Sequence, residues 1–361
     1  MKGRGSDKFN SRVYNRDLVR FLSLEILKKI PGYEPGKPPK PILDKSFIDE
    51  LKATWGEEWG AQSAVGRLRK VLVHRPGDEN KSPLIAADPA FFNLPEGLPN
   101  LEEMQREHDN LVEALRSEGV DVIYLNPKEP LIGTYGIPLR SACFMHEAVI
   151  VKGGAIIERP AMAYKKGLEV FIAKKLMELG CPILYTVHGN GVFEASNLWF
   201  IDERTAIIAT GLRTNIEGAK QVAYILRSVG VEEIHIAHLP GYLETRPTQV
   251  GGISGIFHLD MTFGMVDESL AVIYPAGVDY DTILFLKSKD INLIEIPEEE
   301  LRKCAPNVLP LAPGKVIIPA GNNETIRKLR QEGVDVIDVE LSEFCKAGGG
   351  PRCLTLELIR D

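Results

Sequence analysis

The amino-acid sequence predicts an α/β fold in which five ββαβ modules close into a ring, a five-bladed β/α propeller preceded by a helical N-terminal extension. Two observations carry that expectation. A helix tail, a turn and a strand recur five times, starting at Leu115, Leu176, Leu226, Leu286 and Leu329. Ahead of each recurrence stands a strand or a pair of short strands, and such hairpins would interrupt the parallel order of a simple doubly wound sheet. A ring of five modules accommodates both features, and the unequal spacing of the leucines reads as loop insertions on a common unit.

Residues 1–65 lie outside the repeat and are expected to form two helices, over 16–29 and 45–55, joined by the Pro/Gly-rich stretch 31–41. Ten basic and four acidic side chains among the first 40 residues make this extension locally positive, which a packed helical segment tolerates. The repeat occupies residues 66–361. Its first strand is expected at 71–74, and strand pairs follow at 148–151 with 155–158, 198–201 with 206–209, 261–266 with 271–274, and 307–311 with 315–318. After each helix tail comes Gly119, Gly180, Gly230 or Gly333, or Asp290 in the remaining copy, where a helix ends in a left-handed residue. The β-branched run beyond it reads as a strand.

With 44% hydrophobic and 26% charged residues, the chain has material for a large core and lies far from a disordered composition. Its 43 basic and 50 acidic side chains leave a net charge of −7, which offers a nucleic-acid backbone no global attraction. No apolar run approaches the roughly eighteen residues of a membrane span, and Met1 to Gly5 leads into a polar segment without the apolar centre of a secretion signal. The expected compartment is the cytoplasm, without nucleic-acid or membrane partners. Five cysteines with no CxxC pair indicate neither a disulfide framework nor a thiolate zinc cluster.

Four segments carry polar chemistry. The stretch Gly348-Gly349-Gly350-Pro351-Arg352-Cys353 delivers a cysteine directly before an apolar strand. Arg352 beside that thiol would lower its pKa and make it a thiolate nucleophile, although a structural cysteine after a glycine turn reads the same way. His258 and Asp260 alternate on one face of an expected strand, pairing a proton carrier with an anion suited to a cationic substrate. A surface pair competes with that reading, and a metal site of His258, Asp260 and Cys353 has no HExxH element or second cysteine to support it. Glu194 starts a buried-looking strand beside Phe193 and needs a cationic or hydrogen-bonded partner; Asn197 closes the same segment, and Arg213 stands in a turn before a helix, placed to fork onto a carboxylate. Glu147 puts a further acid at the mouth of an apolar strand.

On these residues the chain resembles the guanidino-group-modifying superfamily, which includes arginine deiminase, dimethylarginine dimethylaminohydrolase and the amidinotransferases. The similarity runs over about residues 66–361, and the family fold, the pentein, is a five-module β/α propeller. Gly348 to Cys353, followed by Leu354-Thr355, resembles the family's glycine-rich segment with its nucleophilic cysteine, and His258-Leu259-Asp260 resembles its His-x-Asp element. Glu194 falls where the family places an acid that contacts the guanidinium or the histidine, with Glu194-Ala195-Ser196-Asn197 in place of Glu-Gly-Gly-Asp. Phe144-Met145-His146-Glu147 stands where deiminases carry Phe-Thr-Arg-Asp, and Gly348 where they carry an arginine. Arg213-Thr214-Asn215 is similar to an element associated with the substrate's α-carboxylate in members that act on free amino acids.

The resemblance implies a cysteine-dependent hydrolase of arginine or a close analogue, working through a covalent thiouronium. Cys353 would be the nucleophile, His258 the proton carrier and Glu194 its orienting acid; Glu147, Asp260, Arg213 and Asn197 would bind substrate. Neither a metal nor a cofactor is implied, and a homo-oligomer is compatible with the family. The alternatives are an amidinotransferase, toward which residues 155–162 and 193–197 lean, and an inactive guanidine-binding relative.

Overall fold

A computed structural model describes residues 24–94, 97–241 and 256–361. The chain divides into two units, Met1–Glu50 and Leu51–Asp361. The described part of the first holds a helical turn at Leu24–Leu27 and the start of helix α1 (Phe47–Trp55). A reciprocal cap begins α1: the Asp49 amide donates to the Ser46 hydroxyl at 3.2 Å, and the Ser46 amide donates to the Asp49 carboxylate at 3.1 Å. Most of the helix expected over 16–29 lies outside the described residues.

In the second unit the described strands form five sheets of three. The first joins β1 (Leu68–Val73) through helix α2 (Leu101–Ser117) to the parallel strand β2 (Asp121–Tyr124). Four copies of one pattern follow, an antiparallel pair, a helix and a strand parallel to the second of the pair. They are β3 (Ala148–Val151), β4 (Gly154–Ile157), α3 (Leu168–Leu179) and β5 (Ile183–Thr186); then β6 (Leu198–Asp202), β7 (Thr205–Thr210), α4 (Ile216–Ser228) and β8 (Glu233–His238). Next come β9 (Phe263–Asp267), β10 (Leu270–Ile273), α5 (Tyr280–Ser288) and β11 (Asn292–Glu295), and β12 (Leu309–Ala312), β13 (Lys315–Pro319), α6 (Asn323–Gln331) and β14 (Asp335–Val339). The last strand, β15 (Leu356–Arg360), returns to pair antiparallel with β1, so the carboxyl end completes the first module.

The sequence explains this regularity. Strands β3, β4, β7 and β10 are buried at every position, and a strand buried on both faces reads as an unbroken apolar run. The five joints all turn in the left-handed region, with φ of 80° at Gly119, 87° at Gly180, 98° at Gly230, 84° at Gly333 and 56° at Asp290.

Five apolar clusters each draw on two sheets. Leu72 and Leu358 pack with Ile150 and Ile157, Val149 and Ile156 with Phe200 and Ile208, and Trp199 and Ile207 with Phe263 and Ile273. Val272 packs with Val316, and Leu309 and Ile317 with Val71 and Val73 of the first sheet.

The site is positioned by what precedes the leading strand of each sheet. Short 3₁₀ turns at Arg140–Cys143, Ala195–Asn197 and Leu259–Met261 run toward β3, β6 and β9. The loop through Asn307 runs into β12, and the glycine-rich segment through Cys353 runs into β15.

Candidate active site

The glycines before Cys353 are required by geometry. Gly348 adopts φ +92°, a region that side chains resist. At Gly349 a Cβ would lie 2.5 Å from the Phe144 ring and 3.0 Å from Cys353 Cβ, too close for either to remain in place. The Asn307 carboxamide fixes the turn that follows: its Oδ1 accepts from the Gly350 and Cys353 amides, each at 3.1 Å, and its Nδ2 lies 3.1 Å from Cys353 Sγ. Asp260 Oδ2 stands 3.6 Å from the same sulfur.

In this setting the thiol keeps its proton at neutral pH. Burial first, then Asp260 and Cys304, push the Cys353 pKa well above its ordinary 9.0, and Arg352 offsets only part of the rise. Arg352 thus lowers it in the expected direction, but too little to make the resting group a thiolate. The Arg352 guanidinium instead donates to Asp260 and to the Leu198 carbonyl, both at 3.0 Å, and lies over the Trp199 ring at 4.0 Å.

His258 and Asp260 also depart from the expected strand. His258 is extended and caps the 3₁₀ turn Leu259–Met261, which contains Asp260. Their side chains consequently serve different partners: Asp260 meets Arg352 and the thiol, while His258 Nε2 meets Glu194 Oε2 at 2.7 Å.

Glu194 is fully buried and accepts from Lys165 at 3.1 Å and from the Ala161 amide at 3.0 Å, with Arg213 at 3.4 Å from both its oxygens. Burial alone would raise its pKa, but Lys165, Arg213 and His258 together hold the carboxyl well below the usual carboxylate range. The fork of Arg213 is thus taken up by Glu194 and by the Tyr164 hydroxyl at 3.2 Å. Asn197 is fully buried too. It accepts from the Leu259 amide at 3.0 Å and donates to Thr214 Oγ1 at 3.0 Å, tying its own turn to the one that carries His258, while the neighbouring Ser196 forms the cavity wall.

Glu147 receives the Lys165 ammonium at 2.8 Å, and the same ammonium lies 3.6 Å from Glu158. Burial disfavours that charge, yet the three carboxylates raise the Lys165 pKa well above its ordinary value. Glu158 is pushed the other way for an acid, well above the carboxylate range, by burial and by Glu147 beside it. A cavity of about 460 Å³, mouth included, is lined by Cys353, His258, Glu147 and Arg213; Asp260 and Glu194 bond to its lining from behind.

A family model for arginine deiminase matches residues 278–360. A 2-nitroimidazole nitrohydrolase from Mycobacterium sp. (strain JS330) is 30% identical, over 93% of this chain and 92% of its own length. The arginine deiminase of Mycobacterium avium is 25% identical, over 84% of this chain and 98% of its own. Among solved structures, a dimethylarginine dimethylaminohydrolase from Pseudomonas aeruginosa in complex with citrulline shares the fold, with a TM-score of 0.62 at 22% identity, covering 80% of this chain and 99% of that one. The chain belongs to the guanidino-modifying pentein superfamily.

Three residues of this pentein site escape a reading of the sequence. Lys165 looks like a surface lysine in Ala163-Tyr164-Lys165-Lys166-Gly167, and only the folded chain brings three acids around it. Asn307 follows a proline at the start of a strand, where its side chain looks like ordinary turn chemistry. Arg140 sits seven residues before Glu147 with no motif to mark it, and it is buried on the cavity wall.

Proposed function

We propose that this pentein hydrolyses the guanidino group of arginine or a close analogue through a covalent thiouronium on Cys353. One observation supports the reading above others: Asp260 Oδ1 is buried without a hydrogen-bond partner, on the residue whose other oxygen approaches the neutral thiol. A guanidinium there would donate N–H groups to the bare oxygen, and its positive charge would lower the thiol's pKa, so that the substrate ionises its own nucleophile. Glu147 on the cavity wall would hold the opposite nitrogens.

The thiol proton passes to His258, and the sulfur attacks the central guanidino carbon. His258 returns the proton to the departing ammonia, leaving the thiouronium, and Glu194 orients the imidazole and balances its charge. Water then gives a proton to His258, attacks the same carbon and releases the ureido product as the sulfur recovers its proton. With arginine the products are citrulline and ammonia.

We infer further that the five modules close into a ring, because an apolar cluster links each sheet to the next and the fifth to the first. We place the enzyme in the cytoplasm, where its cysteines, all unpaired, would stay reduced; no described helix is long and apolar enough to cross a membrane.

The purified chain, incubated with arginine in the presence and absence of glycine or lysine, tests the reading through citrulline, ornithine and ammonia. Citrulline with ammonia in the absence of an acceptor is expected, acceptor-dependent ornithine would assign amidino transfer instead, and absence of all three would overturn both. Cys353→Ser is expected to abolish turnover; a loss below tenfold, about 1.4 kcal/mol of barrier, contradicts covalent catalysis by this residue.

A second reading is favoured by Lys165, which already compensates the acids that a guanidinium would meet. A neutral, electron-poor substrate such as a nitroimidazole would then suit the cavity, the thiolate displacing nitrite from the ring carbon before water displaces the sulfur. Nitrite release from 2-nitroimidazole distinguishes it.

A further inference from the structure

Two cysteines that do not line the cavity stand against each other behind the nucleophile. Cys304 follows the helical turn Glu298–Leu301, and Cys345 lies in the helical turn Ser342–Lys346. Cys345 Sγ donates to the carbonyl of Lys303, the residue before Cys304, at 3.5 Å, and it packs on the apolar cluster that contains Cys304 and Met261. A side-chain hydrogen bond with Cys345 first, then burial, push the Cys304 pKa well above its ordinary 9.0, so the inner thiol keeps its proton. Cys304 is buried, whereas Cys345 is partly exposed and open to a small oxidant. Cys304 also holds φ +55°, a left-handed backbone that glycine or asparagine adopts far more readily.

Each of the two is one backbone hydrogen bond away from a segment that holds Cys353. The Cys304 carbonyl accepts from the Asn307 amide and the Cys345 carbonyl from the Gly348 amide, each at 3.0 Å. Asn307 in turn receives the Gly350 and Cys353 amides and reaches Cys353 Sγ, while Gly348 opens the turn of glycines. Cys143 and Cys181, by contrast, donate to carbonyls of their own segments.

We propose that Cys304 and Cys345 form a reversible disulfide under peroxide, a redox switch that lowers the reactivity of Cys353. The Cys345 sulfur attacks one oxygen of hydrogen peroxide; the O–O bond breaks, and the other oxygen leaves as water with the thiol proton. The Cys304 sulfur then attacks the resulting sulfenic sulfur. The S–S bond forms as the S–O bond breaks, and the hydroxyl leaves as a second water with the Cys304 proton, so two thiols have given two electrons to one peroxide. A disulfide holds its sulfurs at about 2.0 Å, well inside the contact distance of two thiols, so the two segments close on each other. The Asn307 and Gly348 amides move with the carbonyls they bond, and the donors around the Cys353 sulfur lose their aim. Those donors favour the thiolate, so fewer Cys353 sulfurs ionise. Cys304 is already protonated in the reduced chain, and pairing it removes no negative charge that would offset this. The switch acts on the sulfur itself, whichever substrate Cys353 attacks.

Peptide mapping of the full chain tests this without any turnover, because trypsin cuts after Lys303, Lys346 and Arg352 and so places the three cysteines on separate peptides. After hydrogen peroxide is added and removed, the Cys304 and Cys345 peptides are expected to be joined, with two hydrogens lost. Cys353 should remain free and take up iodoacetamide at pH 8 about tenfold more slowly than in the reduced chain, the effect of one pKa unit on the thiolate fraction. Dithiothreitol should restore the faster rate. Cys345→Ser should label at Cys353 as the reduced chain does, with or without peroxide. In Cys304→Ser, Cys345 should persist as a sulfenic acid that dimedone traps. Unjoined Cys304 and Cys345 peptides, or Cys353 joined to either, would overturn the pair in the unaltered protein, whether or not any variant folds. A joined pair with unchanged Cys353 labelling would overturn the switch.

Discussion

The two walls of the cavity bury charge in opposite ways. Around Lys165 one ammonium serves Glu147, Glu158 and Glu194, and Arg213 and His258 bind Glu194 as well, so the cluster carries its own cations, although Glu147 Oε2 accepts no hydrogen bond. Around Cys353 the acid Asp260 has Arg352 on one oxygen and nothing on the other, beside a thiol that keeps its proton. The first wall surrounds its acids with three basic side chains, whereas the second has Arg352 alone, which leaves one Asp260 oxygen without a partner. Positive charge brought by a ligand therefore gains most next to the sulfur, where it is also needed to ionise it.

Removal of the ammonium gives the largest expected effect. Lys165→Met leaves ionised carboxylates buried without their main cation, which costs about 3–5 kcal/mol and should appear as a lower denaturant midpoint at pH 7. A loss under about 1 kcal/mol would mean that the acids compensate themselves with protons, and the contrast between the walls would disappear.

On the other wall, Asp260→Asn separates reactivity from catalysis. Loss of the anion beside the sulfur removes one cause of the raised pKa, so Cys353 should alkylate faster at pH 8 than in the unaltered protein. Turnover should nevertheless fall on the order of 10²-fold, since the group that places the substrate is gone. Unchanged or slower alkylation would show that burial alone holds the proton on Cys353.

Much of this was legible in the chain, and the exceptions share a cause. The five joints and the strand pairs follow from local rules, glycine or Asp290 in a left-handed turn and apolar runs buried on both faces. The partner of β1 escaped because β15 lies at the far end of the chain and pairing between strands so distant in sequence leaves no local trace. Cys353, His258, Glu147 and Arg213 stand out by residue type and line one cavity. What the residue types do not reveal is which charges pair: Arg352 turns to Asp260 and Trp199 rather than to the thiol, and Arg213 to Glu194. Pairing is decided by packing between modules that are remote in sequence, and so are the places of Lys165, Asn307 and Arg140.

The smallest effect discriminates most finely within the closed wall. Burial first, and Glu147 beside it, raise the folded pKa of Glu158 well above its ordinary 4.5. Between pH 4.5 and that raised value the unfolded chain has released a proton that the folded chain retains. Stability therefore falls as pH rises through this window, by about 1.4 kcal/mol per pH unit for the one proton. Glu158→Gln keeps an oxygen to accept the Ala195 amide, which Glu158 Oε2 binds at 2.8 Å, and removes the titration. The variant should match the unaltered protein near pH 4.5 and gain on it as pH rises toward the raised folded value. Glu194 has the opposite sign: its folded pKa is lowered, so its contribution is complete above its unfolded value and is lost as pH falls through the folded one. Glu194→Gln should accordingly be costly at pH 7 and progressively less so in acid. A constant difference between Glu158→Gln and the unaltered protein from pH 5 to 8 would mean that Glu158 is ionised in the fold.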